Sequence, residues 1–314
     1  MNMKYNYSII IPHKNIPKLL QRCLDSIPQR DDVQIIIVDD NSDPSIVDFE
    51  HFPGLQRKNT IAVFDKSSKG AGHARNIGIE RSNSKWLIFA DADDFFNYCI
   101  RECLDKYKDA PEDIIFFSAN SVDSETYLNN ARGLAMNEHF NRYLLDTDNN
   151  DWLVRYESGV PWAKMIKSKF VKLNNISFDA TLIHNDTRFS YLSGYYAKQI
   201  KGVPIALYCV TYRESSITYT EMTEDKFRDR WTVFSKRVAF MEEHHLKYLK
   251  HDGFFITCLL ELKRQKDKTR YDTALKIFDN NNVPISLIES FITQRKRMDF
   301  AYKIKRFLYR LLKW

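Results

Sequence analysis

Two aspartates, Asp91 and Asp93, follow an apolar run at residues 86–90 and are separated by Ala92. Side chains two positions apart in an extended segment point to the same side, so both carboxylates can face one ligand. Carboxylate oxygens are preferred ligands of hard cations, which predicts a site for Mg²⁺ or Mn²⁺. The alternative is an acidic cap of a helix N-terminus. It stays open for Asp94, but three acids are more than a cap needs.

Polar residues also follow other apolar runs in the first 120 residues. Runs at residues 8–11, 34–38, 60–64, 86–90 and 114–118 predict strands, and helices are expected near 17–27, 71–81 and 98–108. This alternation is typical of βαβ units around a parallel sheet, and the continuous Ile, Val and Phe runs predict strands buried on both faces. Ligands of such sheets sit beyond the carboxyl ends of the strands. The acids there should therefore converge on one ligand.

Composition limits the classes of protein that fit. The chain has 314 residues, of which 44% are hydrophobic, enough for one large domain and a smaller appendage. Its five cysteines contain no CxxC pair, which argues against a disulfide framework or a structural zinc site. No run reaches the roughly 18 apolar residues of a spanning helix, and the first run is too short for a signal peptide. We expect a cytoplasmic protein.

The basic charge is concentrated at the C-terminal end. Residues 295–314 contain eight basic side chains and one acid, which leaves the rest of the chain close to neutral. Their apolar residues recur at three- and four-residue steps, which predicts a basic amphipathic helix. Such a helix can lie on an anionic membrane surface, so we expect a peripheral location on the inner face of the cell membrane. A helix packed on the body is the alternative, and no nucleic-acid partner is expected.

The pattern along the chain predicts three parts. Residues 1–120 carry the strand and helix alternation, and residues 121–223 continue the same domain after a polar connection at 121–150. Residues 224–314 are rich in Lys, Glu, Leu and Phe at helical spacing, which predicts a helical C-terminal region ending in the basic helix.

Four segments occur in order at strand ends or helix starts: SIIIP at 8–12, IVDDNSD at 37–43, GAGHARNIG at 70–78 and FADADD at 89–94. Together they resemble the inverting family-2 glycosyltransferases of the GT-A fold. The resemblance extends through residues 161–165 and 184–186 and covers roughly two thirds of the chain. It implies an α/β fold with a mixed, mainly parallel sheet flanked by helices, and a helical C-terminal extension. The first part would bind a nucleotide sugar and the second the acceptor.

The same resemblance assigns the donor site. It implies that Asp93 is the metal ligand, with Asp91 toward the ribose or the metal and Ala92 between them in the donor site. Asp39 would accept a hydrogen bond from the base, typically uracil N3–H, which suits a carboxylate because it only accepts. Asp40 is also placed at the donor, although an Asx turn is an alternative for this residue.

Two further segments of the resemblance concern the diphosphate. Pro12 closes the first strand, where the backbone would cradle the nucleotide. Gly72 lies at a glycine-rich helix start, but this is not a dinucleotide fingerprint, because it follows the third strand and Arg75 takes the next glycine position. The resemblance implies that Arg75 supports the diphosphate or the metal loop. A structural ion pair between Arg75 and one of the acids is the alternative.

An inverting transferase needs a base that takes the proton of the attacking hydroxyl. In the family this is the Asp of a Glu-Asp pair that opens a helix, which here implies Asp186, with Asn185 where Glu is usual. A helix cap is an alternative role that Asp186 can hold alongside catalysis. Four more residues are placed near the site by the same resemblance: His184, Arg213, Trp162 and Lys164.

These observations predict a metal-dependent, inverting glycosyltransferase. The donor would be a nucleotide sugar, UDP-linked, and the acceptor a saccharide or lipid-linked saccharide of cell-surface polysaccharide synthesis. One alternative is a membrane-peripheral module that binds sugar nucleotides without turnover, which Asn185 would favour. A remote alternative is a haloacid-dehalogenase-like phosphatase, although those enzymes carry their Asp-x-Asp on the first strand.

Overall fold

The computed structural model describes residues 3–145, 151–213, 221–246 and 253–297. The chain divides into two compact units, Met1–Glu221 and Met222–Trp314. The roles predicted for residues 1–120, 121–223 and 224–314 stay predictions.

One mixed sheet organises the first unit. Within the described residues its strand order is β3-β2-β1-β4-β7-β6-β8-β5. The strands are β1 (Tyr5–His13), β2 (Val33–Asp40), β3 (Thr60–Asp65), β4 (Ser84–Phe89), β5 (Phe95–Phe96), β6 (Ile114–Asp123), β7 (Lys164–Lys167) and β8 (Ile200–Tyr212). The first unit's helices are α1 (Pro17–Asp25), α2 (Gly70–Arg81), α3 (Ile100–Tyr107), α4 (Leu134–Leu145), α5 (Ser168–Leu173) and α6 (Thr187–Tyr196).

The predicted fold class, a mainly parallel sheet flanked by helices, is confirmed. Strands β3, β2, β1 and β4 pair in parallel, as do β6 and β8, while β7 and β5 pair antiparallel with their neighbours. All residues of β2 are buried, as a strand covered on both faces requires. The prediction of burial on both faces is wrong for β3, whose residues remain partly or fully exposed because it is the edge strand.

Local sequence explains where α1 begins. Pro17 occupies the start of the helix, where its missing N–H is not needed and its fixed φ suits the turn. Leu20, Cys23 and Leu24 then recur on one face and are buried against the sheet. The helix thereby fixes the loop that follows β1.

The connection predicted at 121–150 contains regular secondary structure over about half of its length. Strand β6 continues to Asp123, and α4 covers Leu134–Leu145. Residues 146–150 lie outside the described part.

The second unit is helical where it is described. It contains α7 (Glu224–Glu243), α8 (Gly253–Arg264) and α9 (Lys268–Asn280), and residues 285–297 are also helical. Aromatic side chains that include Trp231, Phe255 and Phe278 pack together in its core. No helix in the described ranges is long and apolar enough to cross a membrane. The predicted basic helix at 295–314 lies almost wholly outside those ranges.

Candidate active site

Three carboxylates cluster directly after β4, in the segment 91–94, here called the metal loop. Asp91, Asp93 and Asp94 each offer an oxygen, and these oxygens lie within 4.8 Å of one another. Asp94 is buried and accepts a hydrogen bond from the backbone N–H of Thr211 at 2.7 Å. Burial and the charges of Asp93 and Asp91 raise the pKa of Asp94 well above its usual range. Asp94 thus anchors the loop to β8, and this bond to a strand is not the helix cap that the sequence left open for it.

Asp93 is held from two sides. Its carboxylate accepts a hydrogen bond from Arg213 Nε at 2.9 Å. Its backbone carbonyl accepts from Thr211 Oγ1 at 2.7 Å and from Arg22 Nη2 at 2.5 Å. Arg213, predicted at the site, therefore lies beside Asp93. Sequence reasoning missed Arg22, because no motif in α1 signals a contact 71 residues away.

The donor atoms of the metal loop fit a hard divalent cation. Asp91 and Asp93 keep 32% and 16% of their side-chain surface exposed, so both carboxylates remain within reach of a ligand. Each shares one oxygen with a guanidinium, Asp91 with Arg75 and Asp93 with Arg213. These cations offset the repulsion between the acids. An all-oxygen set of this kind suits Mg²⁺ or Mn²⁺.

Arg75 joins the metal loop to the segment that carries the predicted base. Its Nη2 donates to Asp91 Oδ1 at 2.6 Å, and its Nη1 donates to Asn185 Oδ1 at 2.8 Å. Arg75 is buried, with 5% of the residue exposed, and its guanidinium lies 5.3 Å from the centroid of the Phe178 ring. The ion pair considered from sequence is therefore present with Asp91. Asn185, which stands where the family has Glu, keeps an acceptor for the same arginine.

The start of α2 packs against residues 178–186, here called the base loop. A Cβ atom at Gly72 would lie 2.0 Å from the carbonyl oxygen of Asp179 and 2.9 Å from Cβ of Asn185. The Asn76 amide bonds the backbone of Phe178 in both directions, at 2.8 and 3.0 Å. Gly72 thus serves close packing of this loop, and Asn76, which sequence reasoning missed, fixes the start of the loop.

Asp186 ends the base loop and occupies the N-cap position of α6. Its side chain makes no capping hydrogen bond, so the cap alternative does not occupy the carboxylate. Burial raises its pKa and the charge of Asp91 adds to this, while Arg75 and Lys164 oppose it. His184, two residues earlier, has a left-handed backbone with φ 56°. Any contact of His184 with metal or phosphate stays a prediction.

Lys164 and Trp162 support the site from β7 and the turn before it. Lys164 is buried, its Nζ donates to the carbonyl of Ser158 at 2.7 Å, and burial lowers its pKa to about 7. Trp162 stacks on Tyr208 with ring centroids 5.5 Å apart. The Tyr208 hydroxyl in turn accepts the backbone N–H of Asp91 at 2.8 Å. Trp162 therefore contributes indirectly to the position of the metal loop.

At the ends of β1 and β2, Asp39 lies buried beside His13. Its carboxylate is 2.8 Å from His13 Nδ1 and accepts the backbone N–H of Ser42 at 2.9 Å. Burial opposes the charge, but the hydrogen bonds from His13 and Ser42 outweigh it and lower the pKa of Asp39. Pro12, next to His13, is buried within β1. Recognition of a base by Asp39 stays a prediction.

Asp40 connects β2 to the start of α2. It accepts from Lys14 Nζ at 3.3 Å and from the backbone N–H of Gly70 at 3.1 Å. The Asx-turn alternative is therefore wrong for Asp40, because its neighbour Asp39 makes the local bond to Ser42 instead. Gly70 has φ +86°, a conformation that glycine adopts without strain.

Comparisons with known proteins agree with this geometry. The model of the family described as glycosyl transferase family 2 matches residues 8–168. Glycosyltransferase GlyG of Streptococcus pneumoniae is 24% identical over 242 residues, which cover 74% of this chain and 79% of GlyG. EpsJ of Bacillus subtilis, an uncharacterized glycosyltransferase, is 26% identical over 252 residues, which cover 76% of this chain and 70% of EpsJ.

A solved structure shares the fold. The structure of S. aureus TarS residues 1–349 in complex with UDP-GlcNAc has a TM-score of 0.64 and 17% identity, and the match covers 96% of this chain and 92% of TarS 1–349. The family match excludes the phosphatase alternative, because it spans the strands and the metal loop on which that alternative rested. Since it also takes in just over half of the chain, this protein belongs to glycosyl transferase family 2 and is a glycosyltransferase of the GT-A fold.

Proposed function

We propose that this protein transfers a sugar with inversion from a UDP-linked donor to a hydroxyl of a saccharide or lipid-linked saccharide, with help from a divalent cation. The observation that carries the proposal is the Arg75 bridge. One guanidinium contacts Asp91 of the metal loop and Asn185 beside Asp186. The proposed metal ligands and the proposed base therefore lie on two sides of the same side chain. The complex of TarS with UDP-GlcNAc supports the choice of a UDP-linked donor.

The metal loop supplies the donor half of the mechanism. Asp91 and Asp93 would hold the cation, which when bound neutralises the charge that develops on the departing diphosphate. Arg213 pairs with Asp93 and lies where a second positive charge can reach the same diphosphate. The paired acids and arginines are fixed before the reaction, as electrostatic catalysis requires.

Asp186 supplies the acceptor half. The acceptor hydroxyl attacks the anomeric carbon while the bond to the diphosphate oxygen breaks on the opposite face, and Asp186 takes the hydroxyl proton. Its raised pKa makes it a better base than an exposed aspartate, because the carboxylate holds a proton more tightly. With Asn at position 185 the chain still has the carboxylate of Asp186 as a base. This favours an active enzyme over a module that binds sugar nucleotides without turnover.

We also propose a place for the protein in the cell. The eight basic residues of 295–314 would attract the chain to anionic lipid headgroups on the inner face of the membrane. This location would bring the enzyme to lipid-linked acceptors of polysaccharide synthesis.

The test of the transferase is a donor assay with the whole chain. Incubation with UDP-, GDP- and dTDP-sugars and Mn²⁺ should release a nucleoside diphosphate from a UDP-sugar. An Asp186→Asn variant should lose transfer by about 10²-fold or more and keep donor affinity, since general-base catalysis contributes about that much. Asp109→Asn, which changes an exposed acid, is the control and should behave like wild type. Absence of both release and binding with every donor would overturn the proposal.

A further inference from the structure

A tight turn follows β6 and presents an aromatic side chain to solvent. The Asp123 side chain accepts hydrogen bonds from the backbone N–H groups of Glu125 and Thr126, at 3.1 and 2.9 Å. The backbone N–H of Tyr127 donates to the Asp123 carbonyl, and that of Asp123 donates to the Leu128 carbonyl. These bonds fix the turn, so the direction of Tyr127 is set by the fold.

Tyr127 combines a left-handed backbone with an exposed position. Its backbone is left-handed with φ 56°, which costs a non-glycine residue energy and points to a functional constraint. The residue is 55% exposed, and the neighbouring Leu128 is 70% exposed. An exposed aromatic and aliphatic pair on a rigid turn is typical of a contact surface.

Arg22 ties this turn to the metal loop. Its guanidinium lies 5.4 Å from the centroid of Phe95 and 5.7 Å from that of Tyr127, and the two rings are themselves in contact, with centroids 6.3 Å apart. The same group donates to the carbonyls of Ser124 at 2.9 Å and of Asp93 at 2.5 Å. One side chain therefore contacts both the metal loop and the exposed ring.

We propose that Tyr127 and Leu128 form a subsite for a pyranose ring of the acceptor, a sugar unit beyond the one that is glycosylated. One face of a pyranose carries C–H groups, which pack on the negative face of an aromatic ring, while its hydroxyls remain in water. Arg22 lies over the Tyr127 ring and its Nη1 donates to the Tyr127 hydroxyl at 3.4 Å, so the ring is ordered before the sugar arrives. The inference rests on the proposed function, because it takes the metal loop as the donor site.

A tyrosine elsewhere on the same sheet provides a matched control. Tyr98 is 95% exposed and follows Asn97, which bonds the carbonyl of Ala206. The turn that carries Tyr127 follows Asp123, which pairs with Tyr212, six residues further along β8. At about 3.3 Å per residue, residues 206 and 212 are about 20 Å apart along β8. The Arg22 guanidinium lies over the rings of Phe95 and Tyr127. Tyr98→Ala therefore removes an exposed ring away from the proposed subsite.

The experiment compares acceptor use by the full chain and its variants. Tyr127→Gly removes the ring and suits the left-handed backbone, so we expect the variant to keep the turn. The probes are methyl glycosides of hexoses and N-acetylhexosamines and their disaccharides, assayed with the UDP-sugar that wild type hydrolyses. Binding of the same probes is measured in parallel by saturation-transfer NMR.

We expect Tyr127→Gly to raise the KM for a disaccharide acceptor about tenfold, with donor KM and donor hydrolysis unchanged. Tenfold corresponds to about 1.4 kcal/mol of binding. Tyr127→Phe should rescue the KM, and Tyr98→Ala should leave it unchanged. An unchanged KM in Tyr127→Gly, or an equal rise in Tyr98→Ala, would overturn the subsite.

The two proposals fail in different ways. A wild-type protein that hydrolyses a UDP-sugar but shows no saturation transfer to any probe would overturn the subsite and leave the donor function standing. A protein that neither binds nor hydrolyses a nucleotide sugar would overturn the proposed function itself, whatever the Tyr127 variants do.

Discussion

Arg75 is the residue on which the two halves of the candidate site meet. It shares hydrogen bonds with Asp91 and with Asn185, although Asn185 lies 110 residues later in the chain. A glutamate at position 185 would give this arginine two carboxylates to balance. Asparagine keeps the hydrogen bond and removes one negative charge from the neighbourhood of Asp186. We therefore assign Asn185 the role of positioning the base loop.

An Asn185→Ala variant tests this role. Loss of a hydrogen bond to a charged group costs about 1.5–3 kcal/mol, so kcat should fall about 10- to 100-fold while donor KM changes little. Arg75→Met should cost more, because it also leaves Asp91 without its cation. The double variant should be less than additive by about 1 kcal/mol or more, since the two residues share one contact. Additive losses in kcat/KM would show that the contact does not matter.

The pH profile reports on Asp186. Its carboxylate must be ionised to act as a base, and burial raises its pKa, so activity should fall as the pH drops through a value above the usual range of aspartate. Lys164 is protonated below its pKa of about 7 and opposes that rise. Lys164→Met should therefore move the acid limb of kcat to higher pH, by up to about one unit.

Lys167→Met is the control for this shift. Lys167 lies on the same strand and donates to the carbonyl of Pro111. The acid limb of the kcat–pH profile of Lys167→Met should match that of wild type. An acid limb that stays in place in Lys164→Met, or moves to lower pH, would contradict the assignment of Asp186 as the titrating base.

At the scale of elements, the contact of α2 with the base loop sets the geometry of the site. The helix start at Gly70 is bonded to Asp40 of β2, and Gly72 leaves room for the Asp179 carbonyl. Because this room depends on the absence of a Cβ, the loop position is sensitive to a single methyl group. The helix therefore fixes the position of Asp186 relative to the end of β2.

Gly72→Ala should displace the base loop. The new Cβ would lie 2.0 Å from a backbone oxygen, which must move, and a shift near the reacting atoms can reduce kcat about 10²-fold. Gly159→Ala is the matched control, because a Cβ at Gly159 would meet nothing within 4 Å. Thermal unfolding separates loss of geometry from loss of fold. If Gly72→Ala keeps wild-type kcat, the close packing has no catalytic role.

The elements that sequence predicts best are those with a single strong pattern. Strands β1, β2 and β4 each show as an apolar run, and acids follow β2 and β4. The sequence alone therefore predicts that the metal loop lies at the carboxyl ends of these strands. The two-residue β5 and the four-residue β7 are too short to show a period. Arg22 and Asn76 escape sequence reasoning for another reason, since their partners are set by tertiary packing rather than by spacing.

At the scale of the whole molecule, the chain combines a GT-A unit with a helical unit and a basic C-terminal end. The transferase unit contains the whole family match, residues 8–168, and every residue of the candidate site. Residues 298–314, which carry most of the proposed membrane contact, lie outside the described ranges.

Removal of residues 295–314 should reduce binding to vesicles of phosphatidylglycerol and phosphatidylcholine, without loss of activity on soluble acceptors. Each basic residue near an anionic surface contributes about 1 kcal/mol, so cosedimentation should fall sharply. Replacing Lys303, Lys305, Arg306 and Arg310 by Gln keeps the apolar residues and should also weaken binding. A truncated protein that unfolds would instead favour a helix packed on the body.

We propose that Asp93 of the metal loop holds the cation that binds the donor diphosphate. Calorimetric titration of UDP, with Mn²⁺ and with EDTA, tests it most directly. Wild type and Asp186→Asn should bind UDP at least about tenfold more tightly with Mn²⁺. Asp93→Asn should lose that gain. Equal binding of UDP with and without Mn²⁺, or a full metal effect in Asp93→Asn, would contradict the account.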